Sequence, residues 1–162
     1  MLPLFPFTEN PSSIAMADLI HSSLRENNLK RLFYVPLLVV VDTCGKENIG
    51  TEERKDCIER TVKIAIHFGF DVYVTSLETP EYFQKVDNKT QFEFSSPNIE
   101  CRQRLQSSLS ALKDNTARED MIENLHAQIL VKVAAELNCQ KIFVPDSATS
   151  LAVKLMSGKL KN

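Results

Sequence analysis

A chain of 162 residues, 43% hydrophobic and 25% charged, has the size and balance of one ordinary folded domain, long enough to bury a core without disulfides or a metal. Its formal net charge of -2 and pI near 5.9 argue against a chain that grips an RNA backbone strongly by itself, because phosphate neutralisation needs clustered Lys and Arg. The longest apolar run, Leu32 to Val41, is interrupted by Pro36 and falls far short of the roughly 20 residues of a spanning helix. The opening MLPLFPF carries no basic segment and no small-residue cleavage site, so a cytoplasmic protein without membrane contact is expected.

In chain order, the first apolar residues lead into the loop FTENPSS, Phe7 to Ser13. A helix follows, with Ile14, Ala17, Ile20 and Leu24 on one face and Ser12 or Ser13 as its cap. Val35 to Val41 is branched on both faces, the pattern of a strand covered on both sides in a parallel sheet, and ends at Asp42. After the loop TCGKENIG, Thr51 is read as the cap of a helix that ends near Gly69 and buries Cys57, Ile58, Val62, Ala65 and Ile66. DVYVTSL reads as the next strand.

The polar stretch from Thr79 to Glu100 shows no sustained period, and an exposed insertion or mobile loop is expected at about 84–100. A helix from about Cys101 to Leu112 and a longer one to Leu137 come next, the latter opened by a capping box, Thr116 to Glu119. KIFVPDSATSLAVKLMSGK closes the chain as strand, turn and helix. Alternating strands and helices predict one α/β domain over 1–162, a Rossmann-like, doubly wound parallel sheet.

Loops that wrap phosphate after a first strand use glycine, so that successive N–H groups can face the anion without a Cβ in the way. Here Glu9 and Asn10 stand in that place, and Glu9 brings negative charge towards a polyphosphate. A helix-capping turn is therefore favoured on physical grounds, with Ser12 and Ser13 able to hold an anion weakly. A second polar group, Asp146, Ser147, Thr149 and Ser150, lies between a strand and a helix at the carboxyl edge of the sheet, where doubly wound folds bind ligands; helix capping alone accounts for it. Asp42, just past a strand, reads as a ribose or metal contact or, more commonly, an exposed turn residue. The three histidines, His21, His67 and His126, have no second ligand at metal spacing, no Cys-x-x-Cys pair exists among the four cysteines, and no Ser-His-Asp or Cys-His arrangement emerges. No catalytic or metal residue is assigned.

Two separated stretches, FTENPSSIAMADLIHSSL and LHAQILVKVAAELNCQKIFVPDSATSLAVKLMSGK, together resemble the cytoplasmic tRNA 2-thiolation protein 2 family, and LLVVVDTCGKENIGTEERKDCIERTVKIAIHFGFDVYVTSLE between them is similar in order and character. The most specific part is DSATSLAVKLMS. The resemblance implies an adenine-nucleotide alpha-hydrolase-like fold and an accessory role in adding sulfur to the wobble uridine of cytosolic tRNAs. It implies a heterodimer with a catalytic pyrophosphatase-loop partner that uses ATP and a thiocarboxylated ubiquitin-related sulfur carrier, with tRNA held by the complex. In the family's Ser-Gly-Gly-x-x-Ser loop, Thr8 takes the place of the first Ser, Glu9 and Asn10 those of the glycines, and Ser12 and Ser13 keep the ending. Thr8, Ser12, Ser13, Asp42, Asp146, Ser147 and Thr149 are thus the residues of a degenerate cofactor site, and ATP is expected to act through the partner. The family's cysteine-rich opening and its continuation past a Gly-Arg-Gly stretch have no counterpart here, so a shortened member with uncovered sheet edges or apolar helix faces is expected. The competing expectations are an independent ATP-binding adenylating enzyme of the same fold and a fragment without function.

Overall fold

The computed structural model describes residues 2–25, 35–44, 49–86 and 98–160. Strands β1 (Pro3–Pro6), β2 (Leu37–Asp42), β3 (Asp71–Ser76), β4 (Phe83–Val86) and β5 (Lys141–Ile142) form one sheet in the order β4-β3-β2-β1-β5. All neighbours are parallel except β3 and β4. Helices α1 (Pro11–Arg25), α2 (Thr51–His67), α3 (Ile99–Ala111), α4 (Asn115–Glu136) and α5 (Ala148–Leu160) complete the chain.

The alternation along the buried strands assigns the two faces. Phe5, Phe7, Leu38, Val40 and Val72 pack with Ala17 of α1 and Ile58, Val62 and Ala65 of α2. Leu4, Val39 and Val41 point the other way and pack with Leu105 and Leu109 of α3 and Ile129, Leu130 and Val133 of α4. Every residue of β2 is consequently buried, as its unbroken branched run requires. The architecture is the Rossmann-like α/β sheet the sequence pattern predicts, with helices on both faces.

β1 lies inside the sheet although it starts and ends with proline, a residue that cannot donate to a ladder. Phe7 N–H donates to the Val39 oxygen at 2.8 Å, and the Leu4 oxygen accepts from Phe143 N–H at 2.8 Å. By the alternation of a parallel ladder, Phe5 and Phe7 therefore serve β2 while Leu4 and Pro6 face β5. Pro3 is the first residue of its strand, and Pro6 lies past the end of β5, which pairs only Pro3 and Leu4.

Several local expectations change. The stretch read as a loop from about 84 contains β4, a short edge strand in register with β3, and α3 begins at Ile99; residues 87–97 lie outside the described residues. Four residues of strand among polar neighbours carry too little periodicity to register against a loop. Thr51 is the first residue of α2, and its N-cap is Gly50, with no side-chain cap bond. Asp114, not Thr116, caps α4, its carboxylate accepting from Thr116 N–H. α4 ends in a Schellman arrangement with Asn138 at φ 55, where Cys139 N–H donates to the Ala134 oxygen and Asn138 N–H to the Ala135 oxygen. No helix among the described residues is long and apolar enough to cross a membrane.

Phe5 on the interior strand β1 is fully buried, whereas Leu19 on α1 is 67% exposed. Phe5→Ala should therefore cost about 3–5 kcal/mol of unfolding free energy, and Leu19→Ala no more than about 0.5 kcal/mol, in urea denaturation.

Candidate functional site

The β1–α1 loop turns its backbone donors inward. Thr8 N–H donates to Ser13 Oγ at 3.1 Å, Asn10 N–H to Thr8 Oγ1 at 3.4 Å, and Ser12 N–H to Asn10 Oδ1 at 3.4 Å. Ser13 and Ile14 N–H both reach the Asn10 oxygen, at 2.9 and 3.1 Å. Pro11 has no N–H to give. A phosphate cradle needs those donors aimed outward at the anion; here the loop's own oxygens take them. Ser13 is completely buried, so it fastens the loop from inside, and the capping oxygen is that of Asn10.

Glu9 lies over the adjoining cleft. Its Oε1 accepts from Arg60 Nε at 3.1 Å and lies 2.9 Å from the Thr61 hydroxyl. That hydroxyl is also 3.0 Å from the Cys57 oxygen, so its one proton is shared between Glu9 of the loop and the backbone of α2. The cleft encloses about 180 Å³ at the carboxyl ends of β1 and β2, with Phe7, Val40 and Ile58 among its apolar walls and Thr8, Glu9, Asp42, Cys44 and Cys57 among its polar ones. The Glu9–Arg60 pair and a lining without Lys or Arg give this opening no net positive charge to attract a polyphosphate.

At the far side of Asp42 sits a buried ionic cluster. Arg54 Nε donates to Asp42 Oδ2 at 2.7 Å, with Nη2 2.6 Å from the same oxygen. Its Nη1 and Nη2 bind the two oxygens of Glu78 at 2.9 and 3.2 Å, the bidentate geometry in which Arg is strongest. The Arg54 side chain is 1% exposed and that of Glu78 is 0% exposed. Burial disfavours the guanidinium charge, but the bonds to Glu78 and Asp42 outweigh it and raise the Arg54 pKa above its ordinary value. Asp42 Oδ1 also accepts from Cys44 N–H at 2.9 Å, and its backbone oxygen from Leu77 N–H at 3.1 Å. Asp42 is therefore neither an exposed turn residue nor a free carboxylate at the sheet edge. It joins β2, α2 and the β3 exit.

Sequence reasoning missed Arg54, Glu78 and Arg60. The signal for Arg54 was present: with Ile58, Val62 and Ala65 it completes the buried stripe of α2, and a charged residue on such a stripe needs partners. The expected Asp146 group lies elsewhere. Ser147 Oγ accepts from Ser150 N–H at 3.1 Å and Ser150 Oγ donates to Asp146 at 3.2 Å, a capping arrangement at α5, while Thr149 is exposed. None of Asp146, Ser147 and Thr149 lines the cleft that Thr8 and Asp42 line, so the structure does not join the two halves of the expected site. His21 is held by the Phe68 oxygen at 2.9 Å. No group of three or more metal-binding side chains occurs among the described residues.

Comparison with known proteins points in one direction. The chain is 27% identical over 153 residues to cytoplasmic tRNA 2-thiolation protein 2 of Aedes aegypti, a match covering 93% of this chain and 33% of that one. It is 24% identical over 184 aligned residues to the protein of the same name in Danio rerio, covering 90% and 37%. The chain is thus similar to proteins of that name over nine-tenths of its length. It is also 24% identical over 146 residues to the Drosophila erecta protein, covering 90% of this chain and 34% of the relative, so it spans about a third of the length of the curated relatives it matches. No family model matches the chain, and no solved structure matches it.

Arg54→Met should cost about 3–5 kcal/mol in urea denaturation, because it strands two buried carboxyl groups. Adding Glu78→Gln should recover part of that loss, a non-additivity that a purely local packing defect would not produce. Cys44 gives a pH test. Burial first, then the Asp42 charge and the neighbouring Cys57, push its thiol from 9.0 up to about 12. The folded state thus favours the protonated thiol, a contribution fully present below the ordinary value and lost as pH rises towards 12. At pH 8 its thiolate fraction, read by alkylation rate, should be roughly a thousandfold below that of an unperturbed thiol.

Proposed function

We propose that this chain acts in the cytoplasm as an accessory, non-catalytic subunit for 2-thiolation of the wobble uridine in cytosolic tRNAs. The relation to cytoplasmic tRNA 2-thiolation protein 2 over nine-tenths of the chain supports the pathway. The observation that carries the non-catalytic reading is the β1–α1 loop: the N–H groups of Thr8, Asn10 and Ser12 bind its own oxygens, and the Glu9 side chain is fastened beside them by Arg60 and Thr61. A loop so arranged cannot surround a pyrophosphate without breaking its own bonds, and the charge of Glu9, already paired with Arg60, offers the anion no net attraction.

In this reading a catalytic pyrophosphatase-loop partner of the same fold binds ATP and adenylates the uridine carbonyl oxygen. A thiocarboxylated ubiquitin-related carrier delivers the sulfur. This chain contributes a rigid sheet and surface for assembly, and tRNA is held by the complex. Helix α5 exposes Leu151, Val153, Leu155 and Met156, and Val144 and Val131 are exposed on the segments before it; apolar surface of this extent supports association with protein.

Calorimetric titration of ATP into the purified chain should give no saturable heat in the micromolar range. Saturable binding that is lost on Ser12→Ala with Ser13→Ala would favour an independent adenylating enzyme instead. In the source cells, deletion should lower thiolated wobble uridine in tRNA, measured by mass spectrometry of nucleosides; unchanged thiolation contradicts the proposal.

A further inference from the structure

Cys44 and Cys57 are brought to one cleft from two elements. Cys44 follows β2 and is fixed by its N–H bond to Asp42 Oδ1. Cys57 stands on α2 one turn beyond Arg54, whose guanidinium holds the other oxygen of Asp42. One carboxylate thus sets the position of both segments, and the Cys57 thiol adjoins that of Cys44. Both side chains are partly exposed, and neither belongs to the apolar clusters on the two sheet faces, whereas Cys139 packs against one of them.

We propose that Cys44 and Cys57 form a dithiol site that a low-molecular-weight disulfide converts to an intramolecular disulfide. The Cys57 thiolate attacks one sulfur of the small disulfide, forming a mixed disulfide on Cys57 and releasing the first small thiol, which takes up a proton. Cys44 then loses its proton to solvent and attacks the Cys57 sulfur. The Cys44–Cys57 bond forms and the second small thiol leaves, so two protein thiols are oxidised as one small disulfide is reduced to two thiols.

The order follows from the surroundings. Asp42 on β2 and Cys57 on α2 face Cys44, Glu9 lines the same cleft from the β1–α1 loop, and Arg54 is turned to Asp42 and Glu78. Burial first, then the Asp42 charge, disfavour the Cys44 thiolate, so it is the resolving thiol and its step is the slower one. The product ties the end of β2 covalently to α2 along the wall of the cleft.

The reduced chain should be incubated with glutathione disulfide, quenched with an alkylating reagent and mapped by peptide mass spectrometry. We expect a linked Cys44–Cys57 peptide pair, protection of two of the four cysteines from alkylation, and no such pair in urea. Cys44→Ser should stop at a glutathione adduct on Cys57, and closure in the unaltered chain should quicken about tenfold per pH unit between about pH 7 and 9. A glutathione adduct that still persists on Cys57 of the unaltered chain at about pH 9, first attack at Cys44, or equal modification of all four cysteines would overturn the proposal. None of these outcomes depends on tRNA thiolation, so the site stands or falls separately from the assigned pathway.

Discussion

The structure depends on one guanidinium. Arg54 comes from the first turns of α2, Asp42 from the end of β2, and Glu78 from the exit of β3, and the three meet where water is excluded. Neither carboxylate could remain there without the cation, and the cation could not remain without them. Because Asp42 also holds Cys44 N–H and the Leu77 N–H, the cluster fixes the carboxyl edge of the sheet on the side where the cleft opens. An ion pair in this position binds three elements at defined distances, which apolar packing alone does less sharply.

That constraint bears on function. In a doubly wound sheet the carboxyl edge is where ligands usually lie, and a carboxylate at the end of β2 is the sort of group that meets a ribose or a metal. Here it is committed to the protein. The loop after β1 shows the same tendency, with its backbone donors directed to Ser13, Thr8 and Asn10 and Glu9 tethered to α2. Groups that could serve a nucleotide serve the fold instead. This is the physical basis for the proposal that the chain, similar to cytoplasmic tRNA 2-thiolation protein 2, is a scaffold that works through another subunit.

Much of the fold was legible in the sequence because its signals are long. The unbroken branched run of β2 and the periodic faces of α1 and α2 state both element type and burial. β4 was not legible, since Phe83 to Val86 shows one alternation amid polar residues and is defined by its pairing with β3. Helix caps were misassigned for a related reason: Ser13, Thr51 and Thr116 are all capping residue types, and the choice between one of them and a neighbour such as Asn10, Gly50 or Asp114 depends on where the chain enters. The departures at Glu9 and Asn10 could be read directly. What they do could not, because Arg60 and Thr61 lie some fifty residues away.

The central claim is that the β1–α1 loop no longer presents its N–H groups to an anion. Amide NMR spectra recorded while ATP is titrated into the folded chain test this at each donor. The account predicts that the resonances of Thr8, Asn10, Ser12 and Ser13 stay in place apart from small, non-saturating drifts with ionic strength. Saturable shifts of those amides at a common midpoint would contradict it.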